Sequence, residues 1–417
     1  MAVLTAGSVV ARPQIMRDSK SVLGYYPKPV QSSRCSRVCD RAHFQTQASV
    51  SKPYQSQRHT HGRRYAVAAS APSPSSTQPV CEPVCEEASA FSPATVANLG
   101  SGFDFMGCAV EGQGDIVTVK LLRDKPGQVI IEKISGDEGR LSMVAKENCA
   151  GIAAWETLKL LGVEKDYGLS IVLDKGLPLG SGLGSSAASA GAAAWAVNEL
   201  FGCPLSKEEL VPAGLVSEAF VSGYHADNIA PAIMGGFILV RCYEPSLKLQ
   251  KLEFGGDEVW FVVVTPVYNC PTREMRAALP KMIDFKQHTH NCSAGASLVS
   301  GILLGDLELL GQGMHTDCIV EPARAPLIPG FKAVKAAAME AGSLGCTISG
   351  AGPTVVALAR DKASGIKVCE AMVEAFKTHG KLEVNRAAVT CLCKEGAQKV
   401  DPKMGFKVDP ERVHFVV

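Results

Sequence analysis

Residues 177–191 read LPLGSGLGSSAASAG, closely spaced glycines and serines set between an apolar stretch and an alanine-rich one. The stretch before it, YGLSIVLDKGLP, has the apolar and β-branched content of a strand. The one after it, SSAASAGAAAWAVNELFG, is built largely from helix formers. A strand, a glycine-rich turn and a helix in direct succession commit the chain to a mixed α and β fold. They also leave bare backbone N–H groups at a helix N-terminus, where unsatisfied donors and the helix dipole both favour negative charge. Phosphate is the ligand chemistry this suggests; a glycine-rich helix start with no ligand is the alternative.

Two common phosphate-loop patterns can be set against the stretch. A P-loop requires GxxxxGK[ST], whose lysine reaches the outer phosphates, and no lysine follows these glycines. Gly182, Gly184 and Ala187 satisfy the dinucleotide pattern GxGxxA, but residues 176–181 intervene after the strand. Where an acidic strand end is due about twenty residues on, the chain reads NELFGCPLSK instead.

Composition bounds the rest. With 417 residues, 46% hydrophobic and 20% charged, the chain is long enough for two domains, and it has no apolar run of membrane-spanning length. The first eighty residues hold eleven of the 42 basic residues but only Asp18 and Asp40 of the 41 acidic ones, with many serines, and close with RRYAVAASAPSPSS and a short polar linker. That composition predicts a transit peptide and linker over residues 1–80, of plastid rather than mitochondrial type because it is long and serine-rich. The expected destination is the chloroplast stroma; a disordered basic tail is the alternative. The remaining 31 basic and 39 acidic residues leave the rest of the chain net acidic, which argues against nucleic acid as a partner. Fifteen cysteines without a CxxC pair, scattered singly through segments such as MGCAV and AVTCLC, fit reduced core thiols. HTHNCS, residues 288–293, has no second Cys or His pair at zinc spacing.

Ordered structure is expected to begin at AFSPATVANLGSGFDFMGCAV, a strand followed by a turn-rich segment. DIVTVKLL and QVIIEKI alternate like neighbouring strands, and NCAGIAAWETLKLLGV has helical periodicity ending at Gly162. SKEELVPAGLVSEAFVSG predicts a helix with Ser206 as N-cap and Glu209 three residues on. GGFILVRCY and VWFVVVTPV return to strand pattern. Beyond Pro266 come helices (PTREMRAALPKM, NCSAGASLVSGILLGDLELLGQGM, PGFKAVKAAAMEAG) and strands (GCTISG, TVVALAR, NRAAVTCL). This change of order predicts an α+β chain with domains at residues 88–265 and 266–417.

PLGSGLGSSAA, Pro178 to Ala188, resembles residue for residue the phosphate-binding motif of the GHMP kinase superfamily, the galacto-, homoserine, mevalonate and phosphomevalonate kinases. GCTISGAGPTVVAL resembles the superfamily's third motif and SPATVANLGSGFDFMG its first, so the resemblance spans residues 92–358. It implies a two-domain GHMP kinase fold with the active site between the domains, using ATP and Mg²⁺. The implied ATP-binding loop is Pro178, Leu179, Gly180, Ser181, Gly182, Leu183, Gly184, Ser185, Ser186 and Ala187, its glycines letting the backbone wrap the triphosphate. Ser185 and Glu218 are the expected Mg²⁺ ligands, hydroxyl and carboxylate oxygens suited to a hard cation, with Ser186 as the other hydroxyl in reach and an exposed helix carboxylate as the other reading of Glu218.

The detailed form of SPATVANLGSGFD, SGYHADNIAPAIMGGF and PTREMRAALP resembles the branch of the superfamily that phosphorylates the side-chain hydroxyl of L-homoserine, in threonine biosynthesis. A kinase for another small alcohol, such as an isoprenoid precursor, is the alternative. An amino-acid acceptor presents an ammonium, a carboxylate and the reacting hydroxyl, which call for an acid, arginines and a positioning group. Asp104 beside Asn98 is the acid by motif position, with turn capping as the other role open to the pair. Arg276 and Arg324 are the carboxylate candidates. Arg276 lies four residues after Thr272 on one helical face, with Arg273 as its rival, and Arg324 sits in EPARAPLIPG, read as a loop with the reach to close a pocket. The resemblance implies that Asn228 contacts the acceptor, and Asp227 stands where related kinases carry a catalytic Asp. The expected catalytic set is therefore Asp227, Asn228, Arg276 and Arg324, with further substrate contacts from Asn98, Asp104 and Thr272. His225 reads either as a base or as a supporting histidine. The expected partners are the small molecules L-homoserine and ATP, with neither nucleic acid nor membrane; homodimers are common in the family.

Overall fold

The computed structural model describes residues 81–221, 223–401 and 405–417. The predicted transit peptide and linker lie outside these described residues. The chain runs β1 (Glu87–Ala97), β2 (Met106–Leu122), β3 (Val129–Ser135), α1 (Cys149–Leu161), β4 (Gly168–Asp174), α2 (Ser185–Leu200), α3 (Lys207–Val221), α4 (Ala226–Met234), β5 (Phe237–Cys242) and β6 (Lys248–Leu252). It continues through β7 (Trp260–Pro266), α5 (Thr272–Ala277), α6 (Phe285–Leu304), α7 (Leu307–His315), α8 (Val320–Arg324), α9 (Phe331–Glu340), β8 (Gly345–Ile348), β9 (Val355–Ala359), α10 (Lys362–Ala375), β10 (Val384–Cys391), β11 (Gln398–Lys399) and β12 (Val413–Phe415).

The first sheet has the order β11-β1-β2-β4-β3, with the β5–β6 hairpin added along the start of β2. DIVTVKLL and QVIIEKI, expected as neighbours, instead flank β4, β2 antiparallel to it and β3 parallel. The cause is α1, which carries the chain across from β3 and so delivers β4 in the parallel sense. The second sheet is antiparallel throughout, in the order β12-β10-β7-β9-β8. The expected boundary at residue 265 falls inside β7, whose partners β9 and β10 both belong to this second sheet. Hydrogen bonding therefore changes sheet between Leu252 and Trp260, and β11 later returns the chain to the edge of β1.

Helix α2 is buried on nearly every side, which explains its alanines: small side chains that favour helix and let neighbouring elements approach from all round. At Gly191 a side chain would come within 2.8 Å of the Ser92 hydroxyl on β1. Asn148 caps α1 by accepting from Ala150 N, and Gly162, at φ 71°, ends it. Ser206 and Glu209 form the expected reciprocal cap of α3, Ser206 N donating to Glu209 Oε2 at 2.9 Å and Glu209 N to Ser206 Oγ at 3.3 Å. The long helical stretch before residue 315 is broken in two at Gly305, left-handed at φ 68°, after which Asp306 caps α7. Val96, Leu183, Phe237, Phe261, Val263, Leu298, Val356 and Leu358 share one buried cluster to which both sheets contribute. Among the described residues no helix is long and apolar enough to cross a membrane.

Candidate active site

The loop after β4 is held by a buried charge pair that the sequence reading did not single out. Asp115, at the heart of β2, accepts from Gly176 N and Leu177 N at 3.0 and 3.1 Å, and it pairs with Lys175. Lys175 also donates to Ser185 O at 2.8 Å and to Ser189 Oγ at 2.9 Å, so one ammonium ties the loop's start to the first turn of α2. From the far side, the turn between β8 and β9 grips the loop's carbonyls. Ser349 Oγ donates to Gly182 O at 2.7 Å and Thr354 Oγ1 to Ser181 O at 2.6 Å. With those carbonyls engaged, the first-turn N–H groups of α2 face an open cavity of about 320 Å³ with no carbonyl one turn back to receive them.

Leu179, Gly180, Ser181, Gly182, Gly184, Ser185 and Ser186 line that cavity. Pro178 does not, and Leu183 and Ala187 turn into the hydrophobic core. Gly184 is the N-cap of α2 at φ 64°. A side chain there would collide with the Thr95 hydroxyl and lie 2.9 Å from Asn228 Oδ1. The missing Cβ thus serves close packing of the helix start against β1 and α4.

The same cavity gathers Asn98, Asp104, His225, Asp227, Asn228, Thr272, Arg276 and Arg324. Asn98, at φ 71°, donates to Gly350 O at 2.8 Å and accepts from Asp104 N at 3.0 Å. Asp104, at φ 63°, presents its carboxylate to both Nη atoms of Arg276, at 2.7 and 3.0 Å. The acid and the arginine expected to take opposite charges of a substrate therefore grip each other. Arg324 ends a short helix rather than riding a loop, and it is only 2% exposed. Its Nε donates to Met275 O at 3.2 Å and its Nη1 to Gly350 O at 2.8 Å, while among the described residues it joins no ion pair. Burial, and then the nearby Arg276 charge, push its pKa down to about 10. The Arg276 and Arg324 guanidinium carbons stand 5.4 and 5.0 Å from the centre of the Phe103 ring. Arg273, the rival candidate, is exposed and does not line the cavity.

Asp227 is 4% exposed, and its carboxyl is raised to about 7, chiefly by burial and then by the charges of Asp104 and Glu218. Asn228 accepts from Thr95 Oγ1 at 2.8 Å through its Oδ1, leaving its amide N–H₂ for the cavity. His225 Nδ1 lies 3.5 Å from Asp104 Oδ2, and burial lowers its pKa, which favours the neutral ring. The Tyr243 hydroxyl accepts from Ala226 N at 2.9 Å and donates to Asp104 O at 3.4 Å, joining the start of α4 to the backbone of the acid. Glu218, on α3, is 3% exposed and lines the cavity with Ser185. Among the described residues no group of three His, Cys, Asp or Glu could hold a metal unaided, HTHNCS included. The Ser185 and Glu218 oxygens fit a hard divalent cation that draws its remaining ligands from phosphate and water.

Leu141, Glu147, Asn148 and Cys149 also line the cavity, from the segment leading into α1. Nothing in the sequence pattern marked them, nor Lys175 and Asp115, whose charges flank apolar runs as strand ends ordinarily do.

The family models for the GHMP kinases N terminal domain and the GHMP kinases C terminal match residues 148–236 and 298–378. The chain is 52% identical over 322 residues to the homoserine kinase of Arabidopsis thaliana, spanning 77% of this chain and 86% of that one. It is 39% identical over 317 residues to the homoserine kinase of Chlorobium phaeobacteroides strain BS1, 74% and 98% of the two chains. The crystal structure of homoserine kinase from Cytophaga hutchinsonii superposes with a TM-score of 0.71 at 40% identity, covering 76% of this chain and 98% of that one.

Proposed function

Because this chain belongs to the homoserine kinases of the GHMP kinase family, we propose that its cavity takes ATP at the 179–186 loop and L-homoserine beside Arg276 and Arg324. The enzyme transfers the γ-phosphoryl group of ATP to the side-chain hydroxyl of L-homoserine, giving O-phospho-L-homoserine and ADP. The observation that carries the acceptor assignment is the pair of guanidinium groups lining the cavity: Arg276 is held by Asp104, while Arg324, 2% exposed, donates only to carbonyls and joins no ion pair among the described residues. An acceptor carboxylate completes the set, and its ammonium takes a share of Asp104.

The loop N–H groups and the N-terminus of α2 hold the phosphates, and the segment 141–149, which lines the same cavity, receives the base. Ser185 and Glu218 would hold Mg²⁺, which when bound would supply positive charge to the outer phosphates. The Asn228 amide orients the hydroxyl. Its oxygen bonds to the γ-phosphorus as the bond to ADP breaks, and the hydroxyl proton passes to Asp227, whose carboxyl near 7 suits it to accept and return a proton. The 88–265 and 266–417 domain division is kept in this reading as a functional one, nucleotide loop in the first and carboxylate-binding arginines in the second. The basic, serine-rich segment 1–80 directs the protein to the chloroplast stroma, where it acts as a homodimer.

An ADP-release assay over L-homoserine, mevalonate, phosphomevalonate, galactose and shikimate tests the reaction. Turnover with L-homoserine alone is expected; turnover with another of these alcohols in its place refutes it. Import into isolated chloroplasts with shortening of the chain, and sedimentation of the mature form, test the last two assignments.

A further inference from the structure

We propose that Phe103 is a specificity-determining positioning residue: its ring holds the guanidinium groups of Arg276 and Arg324 at the spacing that reads an acceptor carboxylate. The inference rests on the carboxylate role given above to the two arginines.

Two like charges brought to one ring need something between them. Arg276 has the Asp104 carboxylate, but buried Arg324 donates only to the carbonyls of Met275 and Gly350 and stands over the Phe103 ring. The negative ring face attracts both cations without neutralising either, so their charge stays available to a ligand. A carboxylate in place of Phe103 would quench the pair, and an aliphatic residue would remove the attraction that draws both groups to one ring. Phe103 also directly precedes Asp104, whose left-handed backbone fixes where the ring can stand. One short turn thereby sets the acid and both arginines together.

The test compares L-homoserine with the amino alcohol left when its carboxylate is removed, in the natural enzyme and in Phe103→Leu, Phe103→Tyr, Arg276→Leu and Arg324→Leu. Phe103→Leu should raise KM for L-homoserine roughly tenfold, leave KM for ATP within about twofold, and lose much of the discrimination against the amino alcohol; Phe103→Tyr should restore it. A second series replaces Phe103 with mono-, di- and trifluorophenylalanine, which drain the ring face while barely changing its volume. KM for L-homoserine should climb with each fluorine while KM for ATP stays flat. If the arginine variants lose discrimination but Phe103→Leu keeps it, or if KM ignores fluorination, the proposal for Phe103 is overturned and the arginine reading stands. If the arginine variants themselves discriminate as the natural enzyme does, both fall.

Discussion

Asp227 sits where burial and two neighbouring carboxylates hold its carboxyl at about 7, well above the ordinary 3.8. A folded-state pKa raised above the unfolded value means that the side chain is accommodated without penalty below pH 4, and that the fold loses stability as pH rises through 7. Asp227→Asn, neutral at every pH, should therefore melt higher than the natural protein at pH 8 and alike below about pH 4, both without ligands. A melting difference that stays constant with pH would show that the carboxyl is ordinary. The same variant should be nearly inactive, since it cannot accept the proton. At Arg324 the opposite charge is buried: Arg324→Leu should lower kcat/KM for L-homoserine roughly 30-fold or more, a loss of about 2 to 5 kcal/mol, with Lys rescuing only in part. Steady-state kinetics with ATP saturating measures it, and a loss confined to KM for ATP would contradict the assignment. Asp104, Arg276 and Arg324 could be named from sequence because they stand in or near recognisable motifs. That Asp104 and Arg276 grip each other could not, because the separation of residues 172 apart is a property of the fold. Phe103 and Tyr243 were hidden for another reason, as an aromatic side chain by itself reads as packing.

Among the elements, the glycine-rich helix start at Gly184 was legible in the sequence, but its packing was not. Gly184→Val should damage acceptor binding as well as ATP binding, because the new side chain drives into Thr95 and Asn228. Gly180→Ala, whose side chain would meet only Asn269 Oδ1 at 3.3 Å, should cost about 1 kcal/mol of backbone strain and raise KM for ATP alone. Gly184→Val leaving L-homoserine KM untouched would refute the packing account. Lys175→Met strands the buried Asp115 under the loop, and chemical denaturation should register a loss of about 3 to 5 kcal/mol. The caps of α1 and α3 were readable because capping is local chemistry between near neighbours in sequence. Pairing of β2 and β3 across β4 was not, since a period-two pattern says which face is buried and nothing about which strand lies alongside.

For the molecule as a whole, sequence order suggested two domains, and two sheets are present. The limit of the reading lies at the seam: VWFVVVTPV has the pattern of a buried strand but carries no mark of which sheet it joins, and β11 is two residues long. The cluster holding Val96, Phe237, Phe261 and Val356 draws on both sheets, so calorimetry on residues 81–417 should give one transition with calorimetric and van't Hoff enthalpies equal. Two resolved peaks would mean that this shared core does not couple the halves. The hydroxyls of Ser349 and Thr354, closed on the carbonyls of Gly182 and Ser181, carry a further consequence, for inheritance. A gene spliced from the front of one relative and the back of another would encode a nucleotide loop and the clasp that shapes it from separate lineages. Recombination inside such a gene is tolerated where both parents supply that clasp.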